Sequence, residues 1–178
     1  MASSYYYFVA TLPGLRLGEA PPMTVAEFLA RAAESMDETT MSSLEAAVGG
    51  NANVATEPAT VRWAVWDRTF LRTLAALRAG RLGREAGSYA QSNELLDGHT
   101  RAALQECVKQ DDPLKAEHAA DDLRWAFLDE MAATHSFDFS VVLSYLLKLV
   151  ILERWARFDA VKGEAMLQLC AEHAEATT

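Results

Sequence analysis

Cysteine is scarce: Cys107 and Cys170 are the only two in 178 residues. Two thiols are too few for a disulfide framework and show no metal-ligand spacing, so a reduced cytosolic setting suits them. Long hydrophobic runs are missing as well. The most apolar stretch, Val141 to Leu152, holds twelve residues interrupted by Lys148, against about twenty for a spanning helix, so a buried core helix is expected there. Residues 1–20 carry no basic segment followed by an apolar one, so no export signal is expected. Neither a GxxxxGK[ST] phosphate loop nor a GxGxxG turn occurs, which speaks against nucleotide hydrolysis. Ser144 and Cys170 have no elbow or partner motif, so nucleophilic catalysis has no support. Internal repeats, low-complexity tracts and strand pairs joined by a hairpin turn are absent too. Positive charge is in deficit: 16 Lys+Arg against 25 Asp+Glu leave a net charge of −9. A duplex is neutralised by basic side chains, so binding to nucleic acid by the whole protein is disfavoured.

What is present reads as one helical domain. Hydrophobic residues make up 51% and charged residues 23%, the balance of an ordinary globular chain. Tyr5 to Ala10, aromatic and β-branched, predict a short strand or an extended arm ended by Pro13-Gly14. Pro21-Pro22 close a linker, and Thr24 with Glu27 has the form of a capping box opening a helix over 24–35. A short helix is expected near 39–48, then a loop over 49–57. Pro58 suits the first turn of a long helix to about Leu82, with Thr56 as N-cap and Gly83 as stop. In it Trp63, Trp66, Phe70, Leu74 and Leu77 recur at steps of three and four, and Val61, Val65 and Leu71 widen that stripe. After a loop over 84–98 comes a helix over 99–109. Asp111-Asp112-Pro113 then start a helix to about Ala133 with Leu123, Phe127 and Met131 on one face. A helix from 139 to at least Phe158, a break at Lys162-Gly163 and a last helical stretch over 164–174 complete the chain. The expected fold is all-α: a single domain over 1–178, with an arm over 1–22 and a body of six or seven helices over 23–175.

Charge is unevenly spread. Between Pro58 and Arg84 stand six arginines and one acid, Asp67, whereas twelve acids lie between Glu85 and Asp138. The basic and acidic helices either pair inside the bundle or present charged faces to different partners. Arg68 and Arg72, one turn apart beside Trp66 and Phe70, suit either a forked grip on a phosphate or carboxylate, or stems laid over apolar surface with acids as partners. Arg68, Arg72, Arg78 and Arg81 are the candidate interaction residues, facing an acidic protein surface or lipid headgroups. Glu153, Arg154 and Arg157 follow the apolar run and must be paired or exposed at the end of the bundle. His118 with Asp121 or Asp122 has helical spacing for two metal ligands, but a metal site needs three, and polar residues on the surface of an acidic helix explain the pattern. No catalytic residue, cofactor or metal is expected.

One set of segments stands out together: Tyr5 to Pro13, Pro21-Pro22 before Glu27-Phe28-Leu29, Trp66 to Arg84 with Arg81-Leu82-Gly83, Leu123-Arg124-Trp125 to Asp129, and Ile151 to Asp159. In this set the chain resembles an uncharacterised bacterial family encoded in gene clusters of V/A-type rotary ATPases. That family is similar to a short form of the C-type subunit of the ATPase, the d-type in eukaryotes. The resemblance implies a non-catalytic helical protein, linking central stalk and membrane rotor ring or aiding assembly. Its partners would be rotary ATPase components, with no small-molecule substrate, and its place cytoplasmic, reaching the inner membrane only through those partners. The chain departs from the full C-type protein in having about half its length. Two other readings stay open: a generic helical interaction module unrelated to the ATPase, and a small metal- or ligand-binding enzyme built on His118, Asp121, Asp122 and Arg124.

Overall fold

A computed structural model describes residues 2–50, 57–84 and 96–158. Among them the chain forms seven helices and no strand: α1 (Ala2–Ala10), α2 (Val25–Ala33), α3 (Glu38–Val48), α4 (Pro58–Arg81), α5 (Gly98–Lys109), α6 (Pro113–Ala133) and α7 (Phe139–Ala156). The expected loop over 49–57 lies mostly, and the break at Lys162-Gly163, the helix over 164–174 and Cys170 wholly, outside the described residues. So does most of the loop over 84–98.

Short polar residues start most of these helices by satisfying free backbone amides. Thr24 and Glu27 form the reciprocal capping box of α2, with Thr24 N donating to Glu27 Oε2 at 2.7 Å and Glu27 N to Thr24 Oγ1 at 3.1 Å. Asp37 caps α3 through Thr40 N at 2.8 Å, Asp97 caps α5 through Thr100 N at 2.8 Å, and Asp112 caps α6 through Leu114 N at 2.9 Å. Asp138 does the same for α7. Backbone amides first for Glu27 and Asp37, and the Thr100 hydroxyl ahead of its amide for Asp97, hold these carboxyls below their ordinary range. Helix α4 has Glu57 as its N-cap, with no side-chain cap bond, and Pro58 in the first turn; Thr56, the expected cap, lies outside the described residues. It ends in a Schellman turn, Gly83 at φ +65° with Gly83 N on Gly80 O and Arg84 N on Ala79 O.

The extended arm is corrected in part. Residues 2–10 are helical, and only the following linker to Thr24 lies outside helix. Tyr5, Phe8 and Val9 share a face of α1 that packs on the core, continued by Leu12 in the turn after it, with Phe8 edge-on to Phe28 at 5.4 Å. No partner strand exists among the described residues, so packing decides against the β preference of the residues. At the other end, α7 stops at Ala156, two residues short of Phe158.

Helix α7 is the hub, touching α1, α2, α3, α4 and α6. Around it Phe28, Leu44, Leu128, Leu143, Leu146 and Leu149 are fully buried. A smaller cluster of Phe70, Leu74, Leu104 and Ala120 joins α4, α5 and α6. The stripe of α4 is narrower than expected: Trp63, Phe70 and Leu74 are buried, but Val61 and Leu71 are exposed. Its neighbours cover only one side of the helix, and these residues lie on the other. On α6 the buried line runs through Ala120, Asp121, Arg124, Leu128 and Met131, with Leu123 and Phe127 only half-buried. No helix among the described residues is long and apolar enough to cross a membrane.

Candidate functional site

Asp121 is the one carboxylate with no exposed surface among the described residues. Its expected place, the surface of an acidic helix, is corrected: it shares the inward line of α6. Its Oδ1 accepts from Arg124 Nη1 at 3.0 Å. Its Oδ2 accepts from the Arg154 guanidinium and from Trp155 Nε1, the latter at 2.7 Å. Arg124 Nε donates in turn to Asp67 Oδ1 at 3.0 Å, and its guanidinium lies 4.5 Å over the Phe70 ring. Asp67, Arg124, Asp121 and Arg154 therefore alternate in sign across α4, α6 and α7. Buried charge is tolerable only with such full pairing.

Above this network the C-terminal end of α3, α4 and α7 enclose a groove of about 440 Å³. Val48, Trp63, Leu71, Leu147, Val150 and Ile151 give it apolar walls, and Arg68 stands at its rim. Residues 147, 150, 151 and 154 are one face of α7. A second hollow beside it, over Leu71, Leu74 and Ala75, carries both Arg72 and Arg78.

The four candidate arginines divide into two pairs. Arg78 is bonded to Glu117 of α6. Arg81 donates to the carbonyls of Val108 and, at 2.7 Å, Gln110, and pairs with Asp111 at 3.1 Å, so it closes the end of α5. Arg62, nearer the start of α4, pairs with Glu130 at 2.9 Å. Arg68 and Arg72 are exposed and make no ion pair among the described residues. The charges that follow the apolar run are paired as well. Arg157 donates to Glu153 at 2.9 Å, and Glu153 also accepts from Val25 N at the start of α2. Lys148 pairs with Asp129 and sits 5.0 Å over Trp125.

His118, Asp121, Asp122 and Arg124 do not assemble into a ligand set. The His118 ring is stacked on Trp155 at 3.7 Å, Asp122 is exposed, and both oxygens of Asp121 are committed to the network. Among the described residues no three His, Cys, Asp or Glu side chains stand close enough to hold a metal ion. Cys107 is buried, and burial pushes its thiol above the ordinary range.

A second exposed patch lies at the other end of α7. Tyr6 packs against Phe137 at 4.6 Å and edge-on to Tyr7 at 5.6 Å, all three rings exposed. Close by, a pocket of about 260 Å³ is lined by Ser144 and Tyr145, whose buried hydroxyls find no protein partner among the described residues. Such a pocket has room for water, the usual partner of buried hydroxyls.

The Asp67–Arg154 network is not among the sites expected from the sequence, although a signal for it exists there. Asp121 and Arg124 interleave with Ala120, Leu128 and Met131 at helical spacing, which sets opposite charges inside an apolar line.

Residues 86–173, which take in α5, α6 and α7, are similar to a family described as "Protein of unknown function (DUF2764)". No curated protein and no solved structure matches the chain.

Proposed function

We propose that the chain is a non-catalytic component or accessory of a V/A-type rotary ATPase. In this reading it acts as a short C-type protein, linking central stalk and membrane rotor or aiding their assembly through helix-packed contacts. What supports this reading is a resemblance: the ordered segments from Tyr5 to Asp159 resemble those of the family encoded in rotary ATPase gene clusters. Two features of the surface support a linking role. The groove beside Arg68 and the aromatic patch of Tyr6, Tyr7 and Phe137 lie toward opposite ends of α7, giving one rigid body two separate contact faces. Of the four candidate arginines, Arg68 and Arg72 are the ones available to a partner, while Arg78 and Arg81 hold α4 to α5 and α6.

A generic helical interaction module would use the same faces, and the exposed groove favours it equally. The two readings part at the partner. A tagged pull-down of the full chain from native membranes, with proteins identified by mass spectrometry, recovers central-stalk and rotor-ring proteins if the ATPase reading holds. Recovery of the chain alone, from cells that demonstrably make the ATPase, removes it.

A further inference from the structure

We infer that the groove between α3, α4 and α7 receives an acidic amphipathic helix of a partner protein, with its apolar side chains against Leu71 and Val150 and its carboxylates on Arg68 at the groove and Arg72 in the adjoining hollow. This rests on the adaptor reading above and states the chemistry of one of its contacts.

Shape comes first. The groove is concave, and Val48 and Leu71 on its walls remain 38% and 47% exposed. A helix ridge laid into it removes that apolar surface from water, which a small polar ligand does not. Charge comes second. On the floor Asp67 and Asp121 are balanced by Arg124 and Arg154, so among the described residues the uncompensated charge of the groove is Arg68, with Arg72 in the adjoining hollow. Arg62, Arg78 and Arg81 on the same helix each have an acid, whereas Arg68 and Arg72 have none among the described residues. Spacing comes third. Arg68 and Arg72 are one turn apart and face carboxylates one turn apart on a helix running alongside α4.

Other anionic occupants fit less well. Nucleic acid meets a chain of net charge −9 that offers this site a single pair of arginines. A membrane surface is flat and engages clustered cations, not one arginine at an apolar concavity with a second in the hollow beside it.

The experiment is fluorescence anisotropy with a labelled, stapled helical peptide carrying a leucine face and two glutamates one turn apart, titrated with the full chain. Saturable binding is expected. It should weaken by about tenfold or more in Arg68→Glu/Arg72→Glu, as for charge pairs across an interface. Arg62→Glu, whose partner Glu130 lies elsewhere, should leave it unchanged, and the same peptide with lysines for glutamates should not bind. The inference is overturned by absent binding or by equal affinity in the double variant. Binding that appears only after Glu164, Glu172 and Glu175 are replaced by lysine in the full chain makes the chain's own segment the occupant and also overturns it. Self-association abolished by Arg68→Glu/Arg72→Glu makes a second copy the occupant. Charge-sensitive binding to phosphatidylglycerol vesicles without peptide binding makes it a membrane. Failure of the peptide with ATPase proteins still recovered from membranes removes the groove contact alone. Peptide binding without those proteins retains the groove and removes the ATPase reading.

Discussion

The two sides of α4 use the same residue type for opposite ends. On the side toward α5 and α6, arginine is a structural part: Arg62, Arg78 and Arg81 meet Glu130, Glu117 and Asp111, and Arg81 also closes the end of α5. On the outward side Arg68 stands at the open groove and Arg72 in the hollow it shares with Arg78, both beside exposed Leu71 and with no acid to hold them among the described residues. Arginine content alone does not mark a contact face. What separates the two pairs is whether the fold sets an acid beside each arginine, which among the described residues it does for Arg78 and Arg81 and not for Arg68 and Arg72.

The largest effect should come from the network beneath the groove. Asp121→Ala leaves Arg124 and Arg154 without their shared carboxylate, and removing one partner of a buried ion pair costs about 3–5 kcal/mol. Urea unfolding measures it, and a loss below about 1 kcal/mol, the range of a surface pair, would show that the network is not the base on which the two sides of α4 rest. Next comes Arg78→Glu/Arg81→Glu, which sets like charges against Glu117 and Asp111 and removes the donors to the last carbonyls of α5. The pairs are half-exposed, so the expected cost is about 1–2 kcal/mol, a fall in Tm of about 2–8 °C for a chain of this size.

Acid should act on the helix starts. Glu27, Asp37 and Asp97 have folded values below their ordinary ones of 4.5, 3.8 and 3.8, because amides or hydroxyls at the caps donate to the ionised form. Their contribution is therefore complete above those ordinary values. It begins to fall as the pH drops through them and is gone only below the lowered folded values. Far-UV circular dichroism from neutral to strongly acidic pH should show helix loss beginning in that window, and Asp37→Asn should blunt it. Smaller still, Arg68→Ala and Arg72→Ala should each change stability by less than about 0.5 kcal/mol, as for surface positions with no ion pair among the described residues. A larger loss would erase the contrast between the two sides. Last, Tyr145→Phe removes a buried hydroxyl with no protein partner among the described residues, so unfolding should show no loss or a slight gain.

Helix starts are the most legible feature, since Thr24-Glu27, Asp112-Pro113 and Pro58 act through neighbours in sequence. The all-α class follows from the same local signals. Helix α1 is easily misread because Tyr5 to Ala10 have a β-favouring composition, and the stripe of Tyr5, Phe8, Val9 and Leu12 runs beyond the segment where the strand is expected. The outward position of Leu71 is not legible, since it depends on which side of α4 the other helices occupy. Asp121 is half-legible: its spacing to Arg124 on an apolar line can be read, but Arg154 and Trp155 come from another helix. The division of the arginines is the least legible, because each pairing reaches across the bundle to an acid between 30 and 68 residues away.

The most direct measurement places Arg68→Glu/Arg72→Glu and Arg78→Glu/Arg81→Glu side by side in the pull-down from native membranes, with the Tm of each full chain recorded. The outward pair should keep the Tm of the parent chain and lose the rotary ATPase proteins, while the inward pair lowers the Tm. Retention of those proteins by Arg68→Glu/Arg72→Glu, with its fold intact, would contradict the assignment of the outward face of α4 as the contact surface.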